Sequence, residues 1–590
     1  MAEHITGYPS IDEPWLKYYS EEEIHSDIPQ KTFYQNVYDN NKAFPQSIAV
    51  NYFGKKMTFE GLFERVDRCA YALHALGVAE KDCVTLCTVG TPETIILVLA
   101  CNKIGALANF INPLFTEKQM SERINETGAK ILFVLDRLAV TISNGLKNTC
   151  IEQVIVIPVA QSMPVLLKTV VSIKGNPELK KLLRNDKRYS TWEEFISKGK
   201  GAAKEQYDQL TVGFQKNTPA IMVYSSGTTG ASKGIVLCNE GINATIAHSQ
   251  VTSHQHKRGD TFLQMIPVWF STGIVLSVLM PLTLGITVIP EPVFGKESFV
   301  KDLAKYRPTM TLGATSLWRY AISSPKLRST DFSQMTFPMS GGEAIRKQDN
   351  EEIKEFLRSH GCKATFFVGY GMCELGSQVT SSTVKYEGKE GSAGIPILHA
   401  RVSAFDTETN EEKRCGERGE IRVDSPARMI GYYKNPRATE EFFYTDSKGS
   451  KWGKTGDIGY VDEDGNVFVL GRATDNFISD DGQLVYCFDA ESVILQDSRV
   501  SACKVLGISN GTHTIPVAHI MLRSEKASVE VFKAIDSLCR KELPLREVPM
   551  AYKFRDSFPV HSNGKRDIQA LSAERDGFVD LDGKPFQFDA

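Results

Sequence analysis

The run Tyr224-Ser225-Ser226-Gly227-Thr228-Thr229-Gly230-Ala231-Ser232-Lys233-Gly234 carries the sharpest chemical signal in the sequence. Its glycines let the backbone turn tightly and present N–H groups, its hydroxyl side chains add donors, and Lys233 supplies a positive charge. That combination suits a polyphosphate. It is not a Walker A loop, which needs glycine directly before the lysine and Ser or Thr after it, whereas Ser232 and Gly234 flank Lys233 here. A mobile Gly/Ser surface loop is the plain alternative.

Further short motifs follow in order. They are Ser340-Gly341-Gly342-Glu343, Gly369-Tyr370-Gly371-Met372-Cys373-Glu374, Thr455-Gly456-Asp457, Gly471-Arg472-Ala473-Thr474-Asp475 and Asn563-Gly564-Lys565. With the loop at 224–234, they resemble the signature motifs of the adenylate-forming superfamily of acyl-CoA synthetases, luciferases and peptide-synthetase adenylation domains. Each is weak alone, but six in family order across most of the chain are specific.

The resemblance implies ATP, Mg²⁺ and coenzyme A as cofactors and a set of site residues. Ser225, Ser226, Gly227, Thr228, Thr229, Gly230 and Lys233 are then expected to cradle phosphates, and Gly342 and Glu343 to border the adenine. Tyr370, Gly371, Met372 and Cys373 belong to the same nucleotide site, where the Tyr370 ring can stack on the base. The plain alternative for Tyr370 is a half-buried core aromatic. Glu374 and Thr228 are the expected Mg²⁺ ligands, since hard oxygen donors suit that ion. Asp457 can accept from both ribose hydroxyls, against the alternative of a turn residue before a strand at 459–462. Arg472 can bind ribose or phosphate oxygens, against the alternative of a surface ion pair. Thr474 is the expected hinge. Lys565, Thr228 and Glu374 are the expected catalytic residues, Lys565 neutralising charge that builds during displacement at the α-phosphate. No general base is needed, because a carboxylic acid is ionised at neutral pH.

Two departures from the family pattern stand out. Cys373 replaces the usual threonine and offers a poorer donor. Phe270 lies where many relatives carry histidine, which bears on how the acyl pocket is gated. The pocket itself is expected around Trp269, Phe270 and the loop Gly313-Ala314-Thr315. Residues 261–290 contain no charged side chain, so a substrate ammonium would find no partner there. An uncharged fatty or aryl acid is expected.

These residues need a frame. Short apolar runs at 130–135, 154–158, 220–224, 262–266, 286–289 and 310–312 read as strands. Amphipathic windows at 59–76, 92–104 and 297–306 read as helices between or before them. Such alternation predicts an α/β fold of doubly wound subdomains with ligands at the carboxyl ends of the strands. From about 395 to 473 the texture becomes that of a small antiparallel, β-barrel-like subdomain, with strands at 401–405, 420–423, 459–462 and 466–470. A mobile α+β C-terminal domain with a helix at 529–543 follows. The expected domains are 1–473, adenylating, and 474–590, carrying the lysine.

The 590 residues exceed what one hydrophobic core supports. A net charge of −3 and the absence of zinc-finger or basic-zipper patterns argue against nucleic acid as a partner. The 12 cysteines lack disulfide-scaffold spacing, and residues 1–15 show no secretion signal, so a cytoplasmic enzyme is expected. The uncharged stretch 261–290 is long enough to cross a bilayer, but prolines and glycines break it into strand, helix (273–284) and strand. In segment 163–204, apolar residues 165–173 precede nine Lys/Arg against four Asp/Glu counted from Lys174. This reads mainly as a surface insertion packing its apolar face on its own domain, with peripheral membrane contact as the alternative.

Together these readings predict an AMP-forming acyl-CoA synthetase acting on a small-molecule carboxylic acid. The alternatives are a synthetase loading an external carrier protein, a luciferase-like oxygenase and an inactive nucleotide-binding scaffold. The acid's identity and the oligomeric state are not legible.

Overall fold

The computed structural model describes residues 5–173, 176–201, 204–225, 232–252, 256–343, 345, 347–479, 483–511, 513–523, 527–560 and 566–588. Two large mixed sheets form its N-terminal body. In the first, the strands Ile48–Tyr52, Thr287–Pro290, Thr261–Gln264, Met310–Gly313, Phe337–Gly341 and Phe367–Tyr370 lie parallel in that order. Antiparallel strands close both edges. In the second, Pro219–Tyr224, Leu107–Phe110, Cys83–Cys87, Ile131–Leu135, Gln153–Ile157 and Tyr189–Thr191 lie parallel. Their near-continuous apolar runs are those of strands buried on both faces. The antiparallel Gly234–Cys238 returns beside Pro219–Tyr224.

The helices between the strands are apolar where they meet the sheets. Pro92–Lys103 is buried along its whole length and is N-capped by Thr91 with Pro92 in its first turn. The chain is therefore mixed α/β, with a large N-terminal part and a smaller C-terminal one. The latter is built on the strands Val500–Asn510, His513–Leu522 and Ala551–Phe554.

Several expected boundaries move. The five-stranded antiparallel sheet uses Arg401–Phe405, Gly419–Asp424, Phe443–Thr445, Lys451–Val461 and Val467–Arg472. Within 395–473, Ile395–Pro396 instead edges the first large sheet and Gly431–Tyr432 the second. The strand expected at 459–462 begins at Lys451, so Asp457 sits inside a strand and not in a turn before one. Its glycines hide it: a side chain at Gly459 would lie 2.1 Å from the Phe468 carbonyl, so close packing of two backbones replaces apolar alternation. The helix expected at 273–284 is a π-helix, Thr272–Leu279, followed by a short α-helix, Met280–Thr283. Pro281 lies in the first turn of the second piece, where a missing N–H is harmless.

The segment 163–204 also departs from expectation. Val165, Leu166, Leu167 and Val170, on the helix Val165–Ile173, face solvent instead of packing on their own domain. Among the described residues, no helix is long and apolar enough to cross a membrane. None of the twelve cysteines forms a disulfide.

Candidate functional site

Four adjacent parallel strands of the first sheet, Thr261–Gln264, Met310–Gly313, Phe337–Gly341 and Phe367–Tyr370, end at one sheet edge. The loops leaving them carry Trp269 and Phe270, then Gly313 and Thr315, then Gly342 and Glu343, then Gly371 through Glu374. Carboxyl ends of parallel strands are where ligands bind in open α/β sheets.

Each loop is held in place by local bonds. A Cβ at Gly371 would lie 2.1 Å from the Ser377 carbonyl oxygen, so only glycine permits that turn. Gly342 has φ +80°, a conformation glycine adopts freely. The Thr315 and Ser340 hydroxyls are hydrogen-bonded at 3.0 Å, tying two loops together. The Glu343 carboxylate accepts from the Ser316 amide at 2.9 Å and its hydroxyl at 3.0 Å, at the N-terminus of the helix Thr315–Ser323. It therefore also holds that loop pair. A Cβ at Gly273 would meet the Pro267 carbonyl at 2.0 Å, which fixes the loop bearing Trp269 and Phe270 onto the π-helix. Trp269 is buried edge-to-face against Phe294, with ring centroids 5.3 Å apart, and Phe270 is half-buried.

Two other sheets close on this edge. From the second sheet comes the hairpin whose neck holds Ser225 and Lys233. The Ser225 amide donates to the Lys233 carbonyl at 3.0 Å, and the Lys233 amide donates to Ser225 Oγ at 3.0 Å. The Ser232 hydroxyl donates to the Ser225 carbonyl at 2.6 Å. Ser226, Gly227, Thr228, Thr229 and Gly230 lie outside the described residues, as does Lys565.

The Lys233 ammonium sits 5.0 Å from the centre of the Tyr432 ring, and the Tyr432 hydroxyl donates to Glu374 Oε1 at 3.0 Å. Burial raises the Glu374 carboxyl above the ordinary carboxylate range, opposed by the Tyr432 hydrogen bond and by the charges of Arg472 and Lys233. A buried hard oxygen donor whose ionised form is favoured by nearby positive charge fits a divalent cation. Met372 and Cys373 are half-buried beside it, on the short turn Cys373–Leu375.

From the antiparallel sheet come Asp457 and Arg472, which are register partners on neighbouring strands. The Tyr370 hydroxyl donates to Asp457 Oδ2 at 2.6 Å, and Arg472 Nε lies 3.1 Å from Asp457 Oδ1. Arg472 Nη1 also donates to the Thr455 carbonyl at 2.9 Å. Burial of its hydroxyl and the Asp457 carboxylate both push the Tyr370 phenol upward, so it remains a donor. Tyr370 is half-buried against the main core, so its expected alternative as a core aromatic describes the ring but not the hydroxyl. Thr474 lies in the turn Ala473–Asp475 at the head of the C-terminal part.

Sequence reasoning missed Tyr432. Its signal existed only as the weak Gly431–Tyr432 strand, whose place depends on pairing with residues nearly two hundred positions earlier, Val236 and Ile235.

Comparison with known proteins gives this arrangement a family. The chain is 25% identical over 561 residues to a long-chain-fatty-acid–CoA ligase of Bacillus subtilis (strain 168), covering 94% of this chain and 96% of that one. A second long-chain-fatty-acid–CoA ligase, from Salmonella typhimurium, is 26% identical over 89% of this chain and 91% of its own. The fold matches an ATP-bound MatB crystal structure from Rhodopseudomonas palustris at TM-score 0.77 and 21% identity, over 92% of this chain and 98% of that one. It also matches an anthranilate CoA ligase in complex with anthranoyl-AMP, again at 0.77 and 21%, over 92% and 97%. The model of the AMP-binding enzyme family matches residues 37–433, from ahead of the first sheet through Tyr432, and by that match the chain belongs to this family.

Proposed function

We propose that this protein is an AMP-forming acid–thiol ligase whose substrates are ATP, an uncharged fatty or aryl carboxylic acid, and coenzyme A. The observation that carries the reading is the convergence at one sheet edge of Glu374, Tyr432 and Lys233 with Tyr370, Asp457 and Arg472. These residues are drawn from three sheets, and their chemistry answers to phosphates, ribose and an aromatic base. The family membership and the names of the relatives agree with it.

In the first half-reaction, the substrate carboxylate oxygen attacks the α-phosphorus of ATP. The bond to the bridging oxygen breaks, and pyrophosphate departs with that electron pair. Lys565, in this proposal, neutralises the charge on the carboxylate and α-phosphate oxygens. The loop 225–233 would hold the outgoing phosphates, with Tyr370 against the base and Asp457 and Arg472 on the ribose. Glu374 and Thr228 would hold a Mg²⁺ ion, which when bound offsets phosphate charge. In the second half-reaction the thiol sulfur of coenzyme A attacks the acyl carbon, AMP leaves, and the thiol proton passes to solvent. We place the division between the adenylating part and the lysine-bearing part at 473/474, with Thr474 as the hinge.

The acyl pocket is assigned to the surroundings of Trp269, Phe270, Gly313 and Thr315. The first acid beyond the uncharged stretch 261–290 is Glu291. Burial and the neighbouring Asp302 hold its carboxyl above the ordinary carboxylate range, which disfavours its ionised form as a partner for a substrate amine. This supports an uncharged acid.

The test is pyrophosphate release with ATP across a panel of carboxylic acids, with and without coenzyme A, in the wild type and in Lys565→Ala. Release is expected for fatty or aryl acids, and acyl-CoA should form only when coenzyme A is present. Lys565→Ala should lose adenylation by at least about a hundredfold while still converting supplied acyl-adenylate to thioester. No pyrophosphate with any acid would refute the function, and equal loss of both steps would refute the division of labour.

A further inference from the structure

The helix Val165–Ile173 presents its apolar side to solvent. Val165, Leu166, Leu167 and Val170 are 78, 83, 42 and 61% exposed. Fifteen large hydrophobic side chains are exposed among the described residues, and four of them fall in these six consecutive positions. Of the others, Ile478 and Leu484 pair across a short hairpin, and no other run holds more than two of them within six positions. At 100° per residue, positions 165, 166, 167 and 170 cover one broad arc of the helix. On the opposite side Val171 packs toward Tyr52, Ala160 and Met163, and Lys168 Nζ reaches the Gln161 carbonyl at 3.4 Å. The helix is thus seated on the body by its inner face while its outer face remains apolar.

The next helix, Pro177–Asn185, shows the ordinary pattern. Leu179, Leu182 and Leu183 pack against the second core cluster, and Lys180, Lys181 and Arg184 are exposed, as is Lys187 just beyond. Three residues separate Ile173 from Pro177, and the four Cα–Cα steps between them reach at most ~14 Å, so the cations lie close to the apolar arc. The nearby acids are largely engaged. Asp186 is bound by Arg188 through three side-chain contacts of 2.8 to 3.3 Å, and Glu194 accepts from the Thr191 amide at 2.7 Å in a helix cap. Glu193 lies 4.0 Å from Lys168, and Glu178 remains exposed in the first turn. An exposed apolar arc flanked by unneutralised cations is complementary to the acyl boundary and anionic headgroups of a lipid bilayer.

We propose that this two-helix segment docks the enzyme on anionic membrane surfaces, with Val165, Leu166, Leu167 and Val170 entering the interface and Lys180, Lys181, Arg184 and Lys187 facing the headgroups. The docking rests on these exposures and charges and does not depend on the catalytic reading.

The experiment is co-sedimentation of the full chain with phosphatidylcholine vesicles, with and without phosphatidylserine, at low and high salt, alongside light scattering of the free protein. Wild type should bind the phosphatidylserine vesicles, release at high salt, and bind phosphatidylcholine alone far more weakly. Leu166→Asp/Val170→Asp should lose binding at least about tenfold, and Lys180→Glu/Lys181→Glu about as much, with pyrophosphate release unchanged in both. The substituted side chains are exposed, so folding is preserved, and the lysine pair serves as a second route if the first variant misfolds. Absence of vesicle binding, or binding unaffected by both variants, would overturn the proposal. So would a wild-type dimer that becomes monomeric in Leu166→Asp/Val170→Asp without any vesicle binding, since the face would then be an interface between copies.

Discussion

Tyr432 joins parts of the site that the chain keeps far apart. Its ring lies under Lys233 and its hydroxyl donates to Glu374, while burial and that carboxylate push its phenol upward and keep it protonated. Replacing Tyr432 by Phe preserves the ring and removes one hydrogen bond to a buried carboxylate, an interaction worth about 1.5–3 kcal/mol. Under the proposed function, kcat/KM for ATP in the pyrophosphate assay should fall roughly ten- to a hundredfold with the circular dichroism spectrum unchanged. A Tyr432→Phe enzyme within about twofold of wild type would show that the hydroxyl does nothing for the nucleotide site. Asp457 makes a contrasting case. It is shared between Tyr370 and Arg472, so the ion pair weighed as the alternative for Arg472 and the nucleotide contacts expected of Asp457 and Arg472 draw on the same two side chains.

At the scale of elements, legibility followed burial. Six of the parallel strands, three in each large sheet, were readable because strands covered on both faces are continuous apolar runs, and their ends shifted by a residue or two; the others, Phe337–Gly341 and Phe367–Tyr370 at the site among them, were not read. The strand Lys451–Val461 was half hidden because its glycines break the side-chain pattern: Gly459 lies against the Phe468 backbone, Gly453 against the side chains of Leu375 and Phe442, and Gly456 has φ +70°. The π-turns of Thr272–Leu279 have no sequence signature distinct from an α-helix, although Pro281 marked where its register changes. Motif spacing named most of the site residues, but only pairing across sheets could reveal Tyr432.

The strand His513–Leu522 carries an element-scale prediction. His519 is fully buried in the middle of the C-terminal sheet, 5.1 Å from the Phe578 ring, and neither ring nitrogen has a hydrogen-bond partner among the described residues. Burial, aided by Arg555 and Lys553 and opposed by Glu574, lowers its pKa to about 4. The unfolded chain, with an ordinary histidine pKa near 6.5, therefore binds the proton more readily, and stability is lost as pH falls from about 6.5 toward 4. The loss should reach roughly 2 kcal/mol near pH 5. Urea unfolding of the C-terminal part at pH about 7.5 and 5 should show that difference in wild type and a smaller one in His519→Leu; equal differences would remove His519 as its source.

At the scale of the whole molecule, the question is where the C-terminal part can turn. Asp475 is held to that part by Lys504 Nζ at 2.7 Å, and Lys504 also meets Glu491 at 2.9 Å, so residues from Asp475 onward move with the C-terminal sheet. Arg472 is held to the antiparallel sheet through Asp457 and the Thr455 carbonyl. Under the proposed rotation, the pivot then falls between them, at Ala473 and Thr474. The arrangement seen is fastened across that pivot by a two-pronged contact in which Arg418 of the antiparallel-sheet region donates to both Asp489 oxygens at 2.8 and 3.1 Å. The Arg418 guanidinium also lies 5.2 Å from the Phe488 ring centre. If the proposed rotation serves the two half-reactions, this contact belongs to one orientation and breaks in the other. The pair is partly exposed, so its loss shifts the balance by no more than about 1 kcal/mol, roughly fivefold in population. Arg418→Ala should therefore slow one half-reaction and speed the other, measured separately as pyrophosphate release without coenzyme A and as thioester formation from supplied acyl-adenylate. Opposite changes of a few-fold follow only if the contact distinguishes two working orientations. Both rates unchanged, or both falling together, would mean that the fork fastens a single arrangement and that domain rotation has to be sought elsewhere.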